Sequence, residues 1–146
     1  MKQSILILVA DHKETEIVRL LLDHGANLNY VNSNGINALM QAASFDGNKE
    51  TVRLLLDRGA NPNCRDNKGN TPLILSLTKT RDYQLFSKKN EEMVRLLLDR
   101  GANPNYVNDK GISALALAIH GGKDSKKIVR LLSDKGASDI FSLTEK

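Results

Sequence analysis

Apolar residues recur along this chain at the spacing of a helix that is packed on more than one side. Ile17, Leu20 and Leu21 form an i, i+3, i+4 stripe, and Val18 and Leu22 widen it. Charged residues fill the narrow face that remains, and a glycine follows within a few positions. Because glycine adopts the left-handed helix-ending conformation at no steric cost, the pattern predicts a largely buried helix with a defined end.

The same pattern occurs four times. Val52 to Asn63 and Val94 to Asn105 both read VRLLLDRGANPN, the copy at Val18 differs at two positions, and the copy at Val129 is more divergent. The copies are spaced by 34, 42 and 35 residues. A second landmark keeps the first two of these spacings, with glycines at Gly35, Gly69 and Gly111. A shared period predicts a stacked array in which each unit buries the apolar face of its neighbours.

Each unit is predicted to consist of a turn, a first helix, a short link and a second helix. The residues expected to cap the first helices through a side-chain oxygen are Ser4, Asn37, Thr71 and Ser113. Pro72 follows Thr71 at the first helical position, where its missing N–H costs nothing. The expected caps of the second helices are Asn48, Asn90 and Ser125, with Glu14 as a weaker cap in the first unit.

The run Thr71-Pro72-Leu73, with Gly69 before it, resembles the helix start of the ankyrin repeat, and the resemblance extends from about Ser4 to Asp139. It implies an all-α solenoid of helix-turn-helix units joined by short β-hairpin-like turns. The histidine of the family motif is replaced here, so apolar packing is expected instead at Ile7, Met40, Ile74 and Ala116.

We therefore expect a single ankyrin-repeat domain over residues 1–146. Its four repeats are predicted at approximately 1–31, 32–65, 66–107 and 108–141, with an insertion at 78–89. Two interpretations of the insertion stay open. In the first, it packs its own Leu85 and Phe86 as a surface loop or a longer first helix; in the second, it contacts a partner beside the groove; and the two can both hold.

Composition and charge limit the classes of partner that we expect this chain to bind. The net charge is +4, but basic and acidic residues are interleaved, and three Tyr without Trp give little for base stacking, which disfavours nucleic acid. Basic residues gather in the insertion, so a binding site for an acidic partner there remains an alternative. Cys64 is the sole cysteine, which fits a reducing compartment, and we expect a cytoplasmic protein. No apolar run reaches transmembrane length, so no membrane partner is expected.

The titratable residues do not form a catalytic pattern. His12 and His120 occupy equivalent places about three repeats apart, and His24 stands where the other copies have Arg or Lys near a helix end. The repeated aspartates are one repeat apart and cannot form a carboxylate pair. We therefore expect no enzyme activity, no metal, no cofactor and no small-molecule substrate.

The resemblance implies that a partner protein binds the concave surface made by the turn tips and the exposed side of the first helices. Such positions differ between copies, while the framework is shared. The predicted partner-binding residues are Val31, Ser33, Ile36, Ser44, Phe45, Arg65, Asn67, Asn70, Thr78, Lys79, Arg81, Tyr83, Val107, Asp109, Ile112 and His120. For Ile36 and Ile112 the alternative is packing against a neighbouring turn, and for Tyr30 and Tyr106 it is packing within the hairpin.

The predicted function is a protein–protein interaction scaffold without chemistry of its own. One alternative is an inhibitor or immunity-type protein that blocks an enzyme or toxin, and another is a basic nucleic-acid-binding module. A monomer is expected. Self-association as part of a larger array is the rival, because Ile5 and Ile7 lie near an uncapped N-terminus.

Overall fold

The computed structural model describes residues 2–10, 14–44, 48–78 and 86–138, and its regular elements in these ranges are helices. A 3₁₀ turn over Gly122–Ser125 precedes the last helix, and one isolated bridge pairs Val107 with Ser113. The helices are α1 Lys2–Ala10, α2 Thr15–Asp23, α3 Ala38–Ala43, α4 Lys49–Asp57, α5 Pro72–Leu77, α6 Lys88–Asp99, α7 Ala114–Ile119 and α8 Lys126–Asp134.

The helices pack as successive pairs in two layers. Each odd-numbered helix contacts the even-numbered helix that follows it, α1 with α2 and so on to α7 with α8. Odd-numbered helices also contact the next odd-numbered helix, and even-numbered helices contact the next even-numbered one. This arrangement confirms the predicted all-α solenoid.

Three of the four predicted first-helix caps are confirmed. The side chains of Asn37, Thr71 and Ser113 each accept a hydrogen bond from the backbone N–H three residues on, at 2.9 to 3.2 Å. Ser4 is the exception, because α1 already begins at Lys2 and Ser4 lies inside it. Its hydroxyl instead donates to the phenol oxygen of Tyr30 at 3.4 Å.

The second helices depart more from the predicted caps. Asn48 accepts from two backbone N–H groups as expected. The prediction for Asn90 is wrong, since α6 begins one turn earlier with Ser87 as its N-cap, and the Asn90 side chain accepts from the Ser87 N–H at 2.8 Å. Ser125 makes no capping bond either, because the 3₁₀ turn leads into α8 and the Ser125 hydroxyl donates to the Gly122 carbonyl at 2.6 Å.

A matched pair of caps makes a stability test. Asn48 and Glu14 hold the same repeat position, but the Glu14 side chain makes no cap bond. We expect Asn48→Ala to lower the free energy of unfolding by about 0.5–2 kcal/mol, because two N–H groups of the first turn of α4 lose their acceptor. Glu14→Ala should change it by less than about 0.5 kcal/mol. Chemical denaturation measures both, and equal losses would contradict the assignment.

Each second helix ends at the predicted glycine. In the second unit Gly59 has φ +92°, and its N–H donates to the Leu56 carbonyl, while the N–H of Ala60 reaches the Leu55 carbonyl at 3.0 Å. These two hydrogen bonds satisfy carbonyl groups that have no hydrogen-bond partner within the helix at its C-terminal end. The same positive φ recurs at Gly25, Gly101 and Gly136.

The core is one column of repeated residues. Valines at the start of the repeat and the leucines three residues later are fully buried in the inner units: Val52, Val94, Leu55 and Leu97. Met40 and Ile74, two of the positions where the family motif has histidine, are 1% exposed, so apolar contact replaces the histidine as expected. Ser133 is exposed in the last copy, where the earlier copies have leucine.

Ion pairs repeat from unit to unit on the outer surface. The aspartate that ends one second helix faces a basic residue at the end of the next one, in the pairs Asp23–Arg58 at 2.7 Å, Asp57–Arg100 at 2.6 Å and Asp99–Lys135 at 3.3 Å. Exposed pairs of this kind each contribute at most about 1 kcal/mol. Their consistent geometry helps to keep successive units in register.

Candidate interaction surface

The turn tips between units are held by their own side chains. The Asn32 carboxamide oxygen accepts from the backbone N–H groups of Asn34 and Ile36 at 2.9 and 3.0 Å. Asp66 and Asn108 make the same pair of bonds in the next two tips. A side chain that binds two N–H groups within its own turn makes the tip a defined shape.

Successive tips are also bonded to each other. The backbone N–H of Asn67 donates to the Asn34 carbonyl at 3.0 Å, and the Asn67 carboxamide donates to the Ser33 carbonyl at 2.9 Å. One unit further on, the N–H of Asp109 donates to the Lys68 carbonyl at 2.9 Å. The three tips therefore form one continuous surface, although their residues are a full repeat apart in the sequence.

Arg65 bridges two neighbouring turns. Its guanidinium donates to the Val107 carbonyl at 3.0 Å and lies 4.7 Å from the centre of the Tyr106 ring. This is cation–π distance, and it fixes both side chains. Tyr106, 37% exposed, therefore packs against the preceding unit and still presents part of its ring to the surface.

A cavity of about 370 Å³ opens between the last two tips and the first helices below them. Half of its lining was predicted from the sequence, namely Asn70, Thr78, Asp109 and Ile112. Sequence reasoning missed the other half: Lys68, Asn108, Lys110 and Leu117. The two lysines precede the landmark glycines and looked like framework, and Leu117 lies inside a short apolar helix, so none differed visibly from the repeat.

Apolar and polar groups are separated within this cavity. Ile112 and Leu117 are half-buried, whereas Lys68, Lys110 and Asp109 are exposed. Asn70 is held in place, since its carboxamide oxygen accepts from Asn108 at 2.9 Å. The arrangement offers a small apolar recess with charged groups around it.

The remaining predicted residues lie in several environments. Val31 is 48% exposed, Ile36 is half-buried in the first tip, and the Ser44 hydroxyl donates to the Gln41 carbonyl at 2.8 Å. His120 is exposed at the end of α7. The predicted residues Phe45, Lys79, Arg81 and Tyr83 lie outside the described residues.

The far end of the insertion packs inward. Phe86 is 5% exposed and lies so close to Gly121 of the following unit that a Cβ atom there would overlap its ring. Leu85 is outside the described residues. The burial of Phe86 agrees with the interpretation in which the insertion packs its own apolar residues, and it does not distinguish a surface loop from a longer first helix.

Cys64 lies behind the tips and is a free thiol. Burial raises the pKa of the Cys64 thiol, while the Asn37 carboxamide, which donates to Sγ at 3.3 Å, opposes that rise. Since the thiolate is the reactive form, a raised pKa favours a packing role over a nucleophilic one. Across the part of the chain that the structure describes, no group of three or more His, Cys, Asp or Glu side chains is placed to hold a metal ion.

Stacked helix pairs with bonded turn tips define a helical-repeat protein of the solenoid class. Within that class, the chain matches the family described as Ankyrin repeats (3 copies), over residues 1–66 and 59–142. The chain belongs to the ankyrin-repeat family, as the sequence resemblance predicted. No curated protein matches it closely enough to count as a relative.

Ankyrin repeats generally serve as protein–protein interaction modules, and the family is typically non-enzymatic. Among the helices in the described ranges, none is long and apolar enough to cross a membrane.

Proposed function

We propose that this chain binds a partner protein through its concave surface, by complementarity of shape and charge and without chemistry of its own. The observation that carries the proposal is the 370 Å³ cavity, where tip residues of two repeats meet helix residues of the same repeats. Hydrogen bonds within and between tips hold this surface before any partner arrives. Such preorganisation lowers the entropy cost of binding.

The cavity suits a protruding side chain of a protein. Its volume lies near the lower end of the range for ligand pockets, about 300–1,000 Å³. Ile112 and Leu117 would contact an apolar side chain of the partner, and Lys68 and Lys110 would contact acidic groups beside it. Apolar anchors in a recess with a polar rim are the usual source of interface affinity.

The proposed surface extends along the whole row of tips. It includes the four positions predicted from sequence that lie outside the described residues, namely Phe45, Lys79, Arg81 and Tyr83. Support for this larger extent comes from sequence: Phe45 and Lys79 stand at positions that differ between copies, and Arg81 and Tyr83 lie in the insertion that the repeat does not require. We also propose that the chain divides into four repeats at approximately 1–31, 32–65, 66–107 and 108–141.

We also propose a cytoplasmic location and a partner that is neither nucleic acid nor a small molecule. A free thiol at Cys64 is compatible with a reducing compartment. Basic residues on α4 and α6 and at the C-terminal end of α8 are paired with acidic ones in Arg53–Glu50, Arg95–Glu91 and Lys135–Asp99, which does not favour a phosphate-binding stripe.

The proposal predicts that replacing an apolar and a basic residue of the cavity with acidic ones strongly weakens partner binding. We expect the double variant Ile112→Asp and Lys110→Glu to weaken a partner identified by affinity capture and mass spectrometry at least about a hundredfold, because an apolar anchor and an attractive charge are both lost. The matched control is Arg53→Glu with Arg95→Glu, which changes exposed residues on the second helices, away from the tips. Calorimetry with purified partner measures both variants.

Normal binding by the cavity variant, or equal loss in the control, would contradict the assigned surface. If the captured partner is an enzyme or toxin, assaying its activity in the complex tests the inhibitor alternative. Capture that depends on DNA or RNA at physiological salt would favour the nucleic-acid alternative instead.

A further inference from the structure

A groove runs between α6 and α8, in the layer of second helices. Two cavities form it, one of about 520 Å³ at the N-terminal ends of the two helices and one of about 310 Å³ further along them. Glu91 and Lys127 line both cavities, so the two are continuous. We call this feature the outer groove, and five of its lining residues are basic, namely Lys88, Arg95, Lys126, Lys127 and Arg130.

The last unit reverses a charge that the repeat otherwise keeps. Lys127 stands where the first three copies have glutamate, namely Glu16, Glu50 and Glu92. In the second copy, Glu50 pairs with Arg53 three residues further on at 3.3 Å. The equivalent arginine of the last copy is Arg130, and a lysine three residues before it cannot make this pair. The first turn of α8 accordingly has no acidic residue, whereas those of α2, α4 and α6 each have one.

The basic side chains of α8 are exposed and carry no ion pair of their own. Among the described residues, no carboxylate lies within 4.0 Å of the charged groups of Lys126, Lys127 or Arg130. Cations at the N-terminal end of a helix also oppose its dipole, so Lys126 and Lys127 stand where their charge lowers helix stability. Since both side chains are exposed, packing in the core does not explain them.

An ion pair crosses the preceding groove but not this one. Between α4 and α6, the Lys49 ammonium group lies 3.2 Å from the Glu92 carboxylate. The residues at these positions in α6 and α8 are Glu91 and Lys127. Glu91 instead pairs with Arg95 of its own helix at 3.6 Å. The outer groove therefore stays open where its counterpart is bridged.

We propose that the outer groove binds a short acidic segment of a protein, at a site separate from the concave surface. Five basic residues line the groove against three acidic ones, so its charge is complementary to that of an acidic segment. The nine residues of α8 extend roughly 13 Å, which is the length of about four residues of extended chain. Leu131, half-buried beside Arg130, would contact an apolar residue within that segment.

The mixed lining favours the carboxylates of a protein over the phosphates of a nucleic acid. Asp124 and Asp134 are exposed toward the two ends of the groove and would repel a backbone with a phosphate at every nucleotide. Phe86, the aromatic residue of the lining, is 5% exposed and so offers no face for base stacking. A peptide can place its acidic side chains opposite Lys127 and Arg130 and neutral residues at the ends.

Fluorescence anisotropy at physiological salt tests the proposal with a labelled eight-residue peptide of alternating Glu and Leu. We expect this peptide to bind the 146-residue chain and the same peptide with Gln for Glu not to bind. Lys127→Glu should raise the dissociation constant about tenfold or more, and Lys127→Gln by less, because the first reverses the charge and the second removes it. Lys127→Glu restores the residue of the other copies and gives Arg130 an acidic neighbour, so thermal stability should not fall.

Lys68→Glu is the matched control, because it makes the same charge change at an exposed lysine of the concave cavity. We expect it to leave peptide binding unchanged. No binding by the parent chain, unchanged affinity in Lys127→Glu, or an equal loss in Lys68→Glu would each overturn the proposal. So would a single-stranded oligonucleotide that binds more tightly than the peptide, or self-association that Lys127→Glu abolishes, since these would assign the groove to nucleic acid or to a second copy.

The test of the concave surface is independent of this one. Its variant combines Ile112→Asp with Lys110→Glu, and neither residue lines the outer groove. Failure of the acidic peptide to bind therefore leaves the proposed function unaffected, and failure of the concave surface leaves the outer groove unaffected.

Discussion

Leu55→Ala is expected to lower the free energy of unfolding by about 2–5 kcal/mol. The Leu55 side chain is fully buried in the second unit. Its removal leaves a cavity that the surrounding helices fill only in part, because both neighbouring units hold α4 in place. Leu97 is equally buried in the third unit, and the same loss is expected there. Guanidinium denaturation followed by circular dichroism measures both variants.

The repeat supplies its own control for this prediction. Leu21 holds the same position in the first unit but is only half-buried, since no unit precedes α2 in the described residues. Leu21→Ala should therefore cost clearly less than Leu55→Ala. If the two losses were equal, burial by the preceding unit would not be the source of stability at this position.

The helices could be predicted from the sequence because the signals that define them are local. Apolar spacing, the capping side chains of Asn37 and Thr71, and the terminal glycines all act within one or two turns. The cap of α6 was misplaced for the same reason, since Ser87 and Asn90 are both competent caps three residues apart. The choice between them depends on how the chain arrives from the insertion, which the repeat pattern does not specify.

The candidate surface followed from the sequence only in part. Variation between copies identified tip positions such as Asp109 and Ile112, which line the cavity. It could not identify Lys68, because a residue shared by two copies looks like framework. The contact of Arg65 with Tyr106 joins residues 41 positions apart, and no local pattern predicts such a pair.

The repeat pattern also failed to predict which residues are buried in the first unit. The amphipathic stripe of α2 predicts that Ile17 and Leu20 are buried, and the structure leaves them 40% and 57% exposed. A repeat pattern describes what each position contributes when neighbours are present on both sides. Which neighbour covers which residue becomes visible only when the units are stacked.

Gly35→Ala is expected to be as damaging as a core truncation, although Gly35 lies in a turn. Gly35 has φ +77°, and a Cβ atom there would lie 2.5 Å from the Asn67 Oδ1 atom and 2.8 Å from the Asn67 backbone nitrogen. The left-handed conformation costs an alanine about 1–2 kcal/mol, and overpacking adds about 1–3 kcal/mol. The side chain could swing away, but the backbone nitrogen is held by its bond to the Asn34 carbonyl.

Gly111→Ala separates these two costs. Gly111 has nearly the same φ, +75°, but no atom lies within 4 Å of a Cβ built there. Only the conformational cost of about 1–2 kcal/mol is expected for this variant. The difference between the two variants, measured by denaturation under identical conditions, reports the energy of close contact between stacked tips. A difference near zero would mean that the tips can separate at no cost, and the surface they form would then not be preorganised for a partner.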